Sequence, residues 1–301
     1  MRETYVNRRC FVVLAVGFAA YPLCLGGDIP SLESVLAPLA KAHQGKVAIA
    51  VKHLGTGESY TLNADVPMPT ASLCKFPVLI EVYQQVAEGK VKLSDPIIVR
   101  KEDLVGGSGV LKYLFDPDTT ISLREAVRLM IGVSDNSATN LVLDKIGIGS
   151  TAKRMEIWGY PNTKIHSKTY HRETSIAMDR SRKFGLGSTT ANDLVALLEK
   201  CHRGELVSPE ASKEIIATLR LAQDTERMTR YLVDTPGVSV AHKPGAVDDA
   251  KTDAGIIFFK GGPVALCVLT ANNQDKGYAI DNAGNVFIGK VAKAVYDYFK
   301  R

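Results

Sequence analysis

The first third of the chain contains both helical and extended patterns of apolar residues. Leucine and valine recur at spacings of three and four residues over 32–39, which predicts an amphipathic helix. Residues 46–53 and 58–62 run apolar or alternate, and a Gly-Thr-Gly turn separates them, so we expect a β-hairpin. A long apolar segment from about Ser72 to Glu88 predicts a second helix.

Helical patterns dominate the middle of the chain. Ser122 and Glu125 have the spacing of a capping box and predict the start of a helix. By contrast, residues 160–188 have weak periodicity and many charges, so we expect a long irregular loop there. The other helices are expected from Asn136 to about Lys145, over 150–158, from Thr190 to Lys200, and from Ser208-Pro209 to Leu221.

Strand patterns return in the last third of the chain. The predicted strands are 237–243, 253–260 and 263–271. Gly261-Gly262 forms a tight turn before the last strand, and a final helix covers 286–298. Since strands occur at both ends of the chain and helices between them, we expect one antiparallel sheet and an all-α lobe over roughly 72–235. This is an α+β architecture.

Composition places the chain among globular proteins. It has 301 residues, of which 46% are hydrophobic and 23% charged, close to the averages of folded domains. These values exclude a disordered chain, a collagen, a coiled coil and a polytopic membrane protein. The formal net charge is +5, and no run of lysine and arginine is interleaved with aromatic residues. We therefore expect no nucleic-acid partner.

Residues 1–27 have the features of a secretory signal. Three arginines lie in the first nine positions, an almost wholly apolar stretch follows, and two glycines end it. An uncleaved N-terminal anchor is the alternative, but Pro22 interrupts a stretch that is already short for a membrane span. A lipoprotein needs small residues just before Cys24, where Tyr, Pro and Leu stand. We expect cleavage, a periplasmic or secreted domain over 28–301, and no stable membrane span afterwards.

The cysteines and histidines indicate neither a disulfide framework nor a metal site. Beyond the signal, the chain has only Cys74, Cys201 and Cys267, which lie far apart. One bridge between two of them is an alternative, but buried free thiols are favoured. His166 and His171 are five residues apart and do not share a helical face, so we expect both at the surface. We expect no metal and no cofactor.

Ser72 and Lys75 are the first candidates for chemistry. At positions i and i+3 of a helix, a hydroxyl and an amine lie on one face. A serine becomes nucleophilic when a base takes its proton, and a lysine amine can be that base if burial and positive charge lower its pKa. The serine N–H at a helix start can also stabilise an oxyanion. Taken alone, the pair is better explained as a capping serine and a solvated lysine.

Two further motifs follow along the chain. Ser134-Asp135-Asn136 lies at the junction of two predicted helices, where side chains and free backbone groups can point into a cleft. Taken alone, this motif is simply explained by helix capping. The segment His242-Lys243-Pro244-Gly245-Ala246 lies at the end of a predicted strand. There a lysine can bind a carboxylate and a glycine lets a substrate approach, although an ordinary strand end explains it equally well.

The three motifs are far more specific together. They occur in the order S-x-x-K, S-D-N, K-x-G, separated by 62 and 109 residues, and each falls on the required element type. This is the motif set of class A β-lactamases and penicillin-binding proteins. The chain resembles that family from about residue 31 to 301. The segments that resemble class A enzymes in particular are TASLCKFPVLIEVY, LMIGVSDNSATNLVLDKIG and DAGIIFFKGGPVALCVLTAN. The resemblance implies a five-stranded antiparallel sheet packed by helices, an all-α lobe and a site between them.

The resemblance also implies roles for individual residues. Ser72 corresponds to the nucleophile that forms an acyl-enzyme, and Lys75 to the amine that exchanges protons with it. Ser134 corresponds to the hydroxyl that delivers a proton to the lactam nitrogen, and Asn136 to the amide that binds the acylamido group. Lys243 corresponds to the cation that faces the substrate carboxylate.

The strand motif departs from the family at one position. The resemblance implies an oxyanion hole formed by the N–H groups of Ser72 and Ala246, with Gly245 allowing close approach and Asp135 bracing its turn. Pro244 stands where the family usually has Thr or Ser, so one hydroxyl for the substrate is missing. Because N–H groups two residues apart on a strand point the same way, the missing donor faces the cleft and no ladder bond is lost.

A second departure concerns hydrolysis of the acyl-enzyme. In the family, a Glu and an Asn in an E-x-x-L-N pattern hold the hydrolytic water. Glu173, 39 residues after Ser134, is the candidate here, but Ala177 stands in place of the Asn. The alternative is a solvated Glu173 paired with Arg172, in which case acylation proceeds and hydrolysis is slow.

These residues lead to three hypotheses. The leading one is a periplasmic serine β-lactamase, a monomer that acts on a small-molecule β-lactam. The second is a D-alanyl-D-alanine peptidase or transpeptidase, which uses the same acylation on a D-Ala-D-Ala peptide and is favoured by Pro244 and Ala177. The third is a silent binding or sensor domain, and the presence of the whole acylation set argues against it.

Overall fold

The longest strands lie towards both ends of residues 31–301, the part of the chain that the computed structural model describes, and helices predominate between them. The strands are β1 Lys46–His53, β2 Ser59–Leu62, β3 Met68–Pro69, β4 Pro96–Val99, β5 Thr119–Ser122, β6 Lys164–Ile165, β7 Gly187–Thr189, β8 Ser239–Val247, β9 Ala250–Phe258 and β10 Val264–Ala271. The helices are α1 Leu32–Ala42, α2 Lys75–Ala87, α3 Leu111–Leu114, α4 Leu123–Gly132, α5 Asn136–Ile146, α6 Ile148–Ile157, α7 Met178–Phe184, α8 Ala191–His202, α9 Pro209–Leu219 and α10 Ala283–Phe299. The predicted signal at 1–27 lies outside the described residues.

A five-stranded antiparallel sheet joins the two ends of the chain. Its spatial order is β2-β1-β10-β9-β8, and β1 pairs with β10 along its whole length, from Lys46 opposite Ala271 to His53 opposite Val264. The expected α+β fold with one five-stranded antiparallel sheet is therefore confirmed. The strand β8 forms one edge of this sheet.

The sheet separates two apolar cores. All eight residues of β10 are buried because helices cover both faces of this central strand. On one face, α10 packs against β9, β10 and α1. On the other face, α8 packs against β1, β9 and β10 and begins the helical lobe. The edge strand β8 thus lies where the sheet meets this lobe.

The helix α2 is the central element of the helical lobe. Ten of its thirteen residues are buried, which matches a sequence that is apolar around most of the helix. A short 3-10 turn at Ala71–Cys74 leads into it. Lys75 is the first residue of α2 and is fully buried, so its side chain lies in an environment that excludes water.

Helix starts agree closely with the capping signals in the sequence. Ser122 and Glu125 form the predicted capping box at the start of α4. At the starts of α8 and α9, the side chains of Thr190 and Ser208 each accept a hydrogen bond from the backbone N–H of the residue three positions further along the chain. Gly147, with φ of 81°, ends α5 one residue after the predicted end near Lys145.

The prediction of an irregular loop over 160–188 is only partly right. The strands β6 and β7 pair and close this segment, and it also contains a 3-10 turn at Arg172–Thr174 and the helix α7. These elements have two to seven residues, too few to give a readable period. His166 is fully buried, not at the surface, because its ring hydrogen-bonds to Gly185 O at 2.9 Å and Ser188 Oγ at 3.0 Å.

The strand β8 also extends further than predicted. It continues from Ser239 through the motif at 243–246 to Val247, so these residues lie within a strand and not after it. Pro244 is accommodated because an edge strand needs backbone donors on one side only. The three cysteines of the described region are buried free thiols, as predicted. Within residues 31–301, no helix combines the length and apolar character that a membrane crossing requires.

Candidate active site

A cavity of about 1040 Å³ opens between the edge strand β8 and the helical lobe. Ser72, Ser134 and Lys243, which are far apart in the sequence, all line it. Asn136, Gly245 and Ala246 line it as well. The structure therefore brings the three sequence motifs to one crevice.

The turn that carries Ser72 has a strained backbone. Ala71, just before it, has φ of 46°, a left-handed conformation that is uncommon for residues other than glycine. Two backbone hydrogen bonds hold the turn, from Thr70 N to Gly187 O at 3.1 Å and from Leu73 N to Thr70 O at 3.0 Å. Such strain persists only where the surroundings fix the chain, and it is common at reactive residues.

Gly245 lets the strand β8 pack directly on this turn. A Cβ at Gly245 would lie 2.4 Å from Thr70 O and 2.8 Å from Leu73 N, both backbone atoms. The Thr252 hydroxyl, on the adjacent strand, donates to Thr70 O at 2.8 Å. The backbone of Thr70 and Leu73, on either side of Ser72, therefore packs closely against the backbone of the strand motif at Gly245.

Lys75 is fully buried and makes three hydrogen bonds. Its Nζ donates to Ser134 O at 2.7 Å, Ser134 Oγ at 3.2 Å and Asn136 Oδ1 at 2.9 Å. Burial, followed by the positive charge of Lys243, lowers the pKa of Lys75 to about 7. Near neutral pH this amine can therefore both accept and release a proton.

The Ser134 hydroxyl lies between two buried amines. Its Oγ is 3.2 Å from Lys75 Nζ and 3.1 Å from Lys243 Nζ. The backbone of Ser134 is left-handed, with φ of 54°. Asp135 braces this conformation, because its carboxylate accepts hydrogen bonds from the N–H groups of Ala138, at 2.9 Å, and Leu111, at 2.8 Å. The resemblance implied this bracing role for Asp135.

Lys243 is the second buried amine of the site. Its Nζ also donates to Pro244 O at 2.8 Å. Burial lowers its pKa to about 8, and the nearby carboxylates of Asp253 and Asp224 oppose that change. Asp253 is itself buried and accepts from His242 Nδ1 at 3.0 Å. The Lys243 amine makes no hydrogen bond to a carboxylate among the described residues. In its charged form it gives the cavity a positive potential that suits an anionic substrate.

Glu173 is not brought to this cavity. Its side chain is 70% exposed and pairs with His171 Nδ1 at 2.8 Å. Its own backbone N–H and the His171 ring lower its pKa. Arg172 lines the cavity, whereas Glu173 and Ala177 do not. This placement gives no geometric support to Glu173 as the residue that activates water, and that role remains a prediction from sequence.

Thr169, four residues before Glu173, forms part of the cavity wall. It is buried, lines the cavity, and its hydroxyl has no hydrogen-bond partner among the residues that the structure describes. The Asn140 side chain holds its backbone on both sides, accepting from Thr169 N at 2.8 Å and donating to Thr169 O at 3.1 Å. The sequence gives no signal for this residue, because only the fold places it there.

Arg227 is a second residue that sequence analysis missed. Its guanidinium is largely buried, pairs with Asp224 and lines the cavity near Lys243. Its Nε has no hydrogen-bond partner in the described part of the chain. Residues 222–236 have no clear periodicity, so the sequence could not indicate that this arginine faces the site. Asp224 is the only carboxylate among the described residues that line the cavity.

Comparison with known proteins identifies the family. The model of the Beta-lactamase enzyme family matches residues 31–299, so the chain belongs to that family. Among curated relatives, the β-lactamase VEB-1 of Pseudomonas aeruginosa is 22% identical over 279 residues and 89% of each chain. The β-lactamase BRO-1 of Moraxella catarrhalis is 23% identical over 246 residues, which is 80% of this chain and 76% of the relative. These relatives support a β-lactamase-like hydrolase function.

Solved structures show the same fold. A β-lactamase from Sphaerobacter thermophilus is 26% identical, with a TM-score of 0.77, covering 91% of this chain and 97% of its own. The structure of PBP-A is 24% identical, with a TM-score of 0.77, covering 89% of this chain and 95% of its own. A mutant of PBP-A was solved as an acyl-enzyme complex with penicillin G.

Proposed function

We propose that the protein reacts with β-lactams through an acyl-enzyme on Ser72. The observation that carries this proposal is the position of the Ser134 hydroxyl. It lies within 3.2 Å of two buried amines, those of Lys75 and Lys243, in the cavity that Ser72 lines. Such an arrangement can move a proton from a nucleophile to a leaving group.

The residues support a balanced proton relay. Neutral Lys75 accepts the proton of the Ser72 hydroxyl as Oγ attacks the lactam carbonyl. When the lactam C–N bond breaks, Ser134 gives its proton to the departing nitrogen and regains one from the Lys75 ammonium. The products are an ester on Ser72 and a ring-opened amine, with no net gain or loss of protons. The Lys75–Ser134 contact of 3.2 Å suits the last transfer.

Backbone and cationic groups would stabilise the charges of this reaction. We assign the oxyanion to the N–H groups of Ser72 and Ala246, since Gly245 brings the two backbones together. We assign the substrate carboxylate to Lys243 and Arg227, both of which line the cavity. Arg227 can supply the hydrogen-bond donors that Pro244 lacks.

Among the described residues that line the cavity, no unpaired carboxylate is available as a base for hydrolysis of the ester. Asp224 lines it but is paired with Arg227, and Glu173 is exposed elsewhere on the loop. We therefore expect the acyl-enzyme to hydrolyse slowly. This observation favours a second candidate function, a D-alanyl-D-alanine peptidase or transpeptidase, in which the same ester forms from a peptide and is long-lived with β-lactams.

Time-resolved mass spectrometry of the intact protein with a penicillin tests the proposal. We expect a single adduct with the mass of the whole penicillin, absent in Ser72→Ala. Ser150→Ala, on α6 and outside the cavity, is a matched control and should label normally. Labelling that survives in Ser72→Ala would refute the role of Ser72. Rapid clearing of the adduct favours a β-lactamase, whereas a persistent adduct with release of D-alanine from a D-Ala-D-Ala peptide favours a peptidase.

We also propose that the protein acts outside the cytoplasm as a monomer. The proposed location rests on the signal-like segment at 1–27. Expression of the full chain with fractionation of the cells tests the location. N-terminal sequencing of the exported protein identifies the cleavage site, and light scattering gives the oligomeric state.

A further inference from the structure

Two exposed tyrosines line the mouth of the cavity. Tyr170 is 68% exposed and Tyr278 is 63% exposed, and both belong to the cavity wall. Tyr170 comes from the segment between β6 and β7, and Tyr278 from the segment between β10 and α10. Large aromatic side chains usually bury most of their surface, so two exposed rings at one opening point to a ligand.

Tyr278 is held in place although its ring is exposed. Its hydroxyl donates to Asp248 Oδ1 at 2.7 Å, and Lys251 Nζ lies 4.7 Å from the ring centroid. Partial burial and the bond to Asp248 raise the pKa of Tyr278 to about 12, and Tyr170 is close enough to contribute. Tyr278 and Tyr170 line the same cavity.

Tyr170 is held from the other side. Its backbone is left-handed, with φ of 65°, and it directly follows Thr169, which Asn140 fixes. A Cβ at Gly107 would lie 2.5 Å from the Tyr170 hydroxyl and 2.7 Å from Asn136 Nδ2. Gly107 also has φ of 78°, a conformation that favours glycine. The Tyr170 hydroxyl and the Asn136 amide therefore both lie next to Gly107.

We propose that Tyr170 and Tyr278 form a binding subsite for an aromatic acyl substituent of the substrate. This inference rests on the proposed acylation of Ser72. A substituent attached beside the reacting carbonyl would pass Asn136 and reach the two rings. Flat apolar groups stack on tyrosine in offset or edge-to-face geometry. The Tyr278 hydroxyl is already bonded to Asp248, which reduces the ordering that binding requires.

The test compares two penicillins that differ only in the acyl group, phenylacetyl against acetyl. The quantity measured is the second-order rate constant for adduct formation. The wild-type protein should prefer the phenylacetyl compound. Tyr170→Ala and Tyr278→Ala should each reduce this preference by about 3- to 10-fold, with little effect on the acetyl compound. Tyr170→Phe and Tyr278→Phe, which keep the ring, should retain the preference.

Tyr113→Ala is the matched control. Tyr113 is 66% exposed but does not line the cavity, so its removal should leave the preference unchanged. The inference is overturned if both alanine variants keep the wild-type preference while still reacting. Failure of the proposed function has a different signature, since neither penicillin would then label the wild-type protein.

Discussion

Lys243 Nζ lies 3.1 Å from Ser134 Oγ, although 109 residues separate them in the chain. The contact crosses from the edge strand of the sheet to the junction of α4 and α5. With Lys75 on its other side, the Ser134 hydroxyl connects the two buried amines. Its removal tests the proton relay directly.

Ser134→Ala should slow acylation by about 10²- to 10⁴-fold, the usual effect of losing a general acid. The leaving nitrogen would then lack a positioned proton donor. The measurement is the rate of adduct formation with a penicillin, and Ser150→Ala serves as the control. A variant that acylates at the wild-type rate would exclude Ser134 from the relay.

Acylation should have a bell-shaped pH dependence. The Lys75 pKa is lowered to about 7, and its neutral form is the base, so the rate should rise as pH increases through about 7. The Lys243 pKa is lowered to about 8, and its charged form binds the carboxylate, so the rate should fall above about 8. Adduct formation measured from pH 5 to 10 gives the profile.

Lys243→Arg separates the two limbs of that profile. Arginine keeps its charge throughout this pH range, so the fall on the alkaline side should disappear while the rise near 7 remains. If the alkaline fall persists unchanged, a group other than Lys243 causes it.

Gly245→Ala should displace the turn that carries Ser72. The added methyl would lie within 2.4 Å of Thr70 O, a backbone atom that cannot move alone. We expect a loss of about 1–3 kcal/mol in the free energy of unfolding and slower acylation. Gly149→Ala is the control, since a Cβ there meets no neighbour within 4 Å and lies on the helix α6. Urea unfolding and adduct formation measure both effects, and equal behaviour of the two variants would contradict the close packing.

Thr169→Glu should speed hydrolysis of the acyl-enzyme. Thr169 lines the cavity, and its buried hydroxyl has no hydrogen-bond partner among the described residues. A longer side chain with a carboxylate at this position can act as a general base for water. Glu173→Gln is its counterpart and should change neither acylation nor hydrolysis, because Glu173 is exposed. The decay of the penicillin adduct measures hydrolysis. Slower decay in Glu173→Gln alone would restore the original role of Glu173.

Arg227→Ala should weaken binding of substrates that carry a carboxylate. The loss of a charge-assisted hydrogen bond costs about 1.5–3 kcal/mol, roughly 10- to 100-fold in affinity. The concentration dependence of acylation measures this effect, and a carboxylate ester of the same β-lactam should be affected much less. Arg220→Ala, whose guanidinium bonds to Ser239 outside the cavity, is the control. Equal losses for acid and ester would exclude a carboxylate contact.

The fold was predictable where the sequence pattern is long. The helices α2, α4, α8 and α9 have several turns of regular apolar spacing or a capping residue, and the strands of the sheet alternate or run apolar. Short elements such as β3, β6 and α7 have too few residues to show a period, and contacts with the rest of the protein stabilise them. The prediction that His166 lies at the surface was wrong for the same reason, because this short segment shows no period. Its ring is buried and hydrogen-bonded to Ser188.

The residues of the candidate active site were predictable where they belong to a sequence motif. Ser72, Ser134 and Lys243 could be found from their order and spacing, because each motif falls on the element its chemistry needs. Thr169 and Arg227 could not be found, since ordinary residues in aperiodic segments acquire a role only when the chain folds. Glu173 is the opposite case. Its residue type and spacing suit the predicted role, but its side chain is exposed and does not line the cavity.

The position of Pro244 also affects the backbone at the edge of the sheet. The strand β8 has no neighbouring strand on one side, and residues 241–245 are buried there, beside the cavity and the turn that carries Ser72. A buried backbone N–H without a partner is costly, and a proline has no N–H to leave unsatisfied. The residue that removes a donor from the substrate site therefore also spares the folded chain the cost of an unpaired donor.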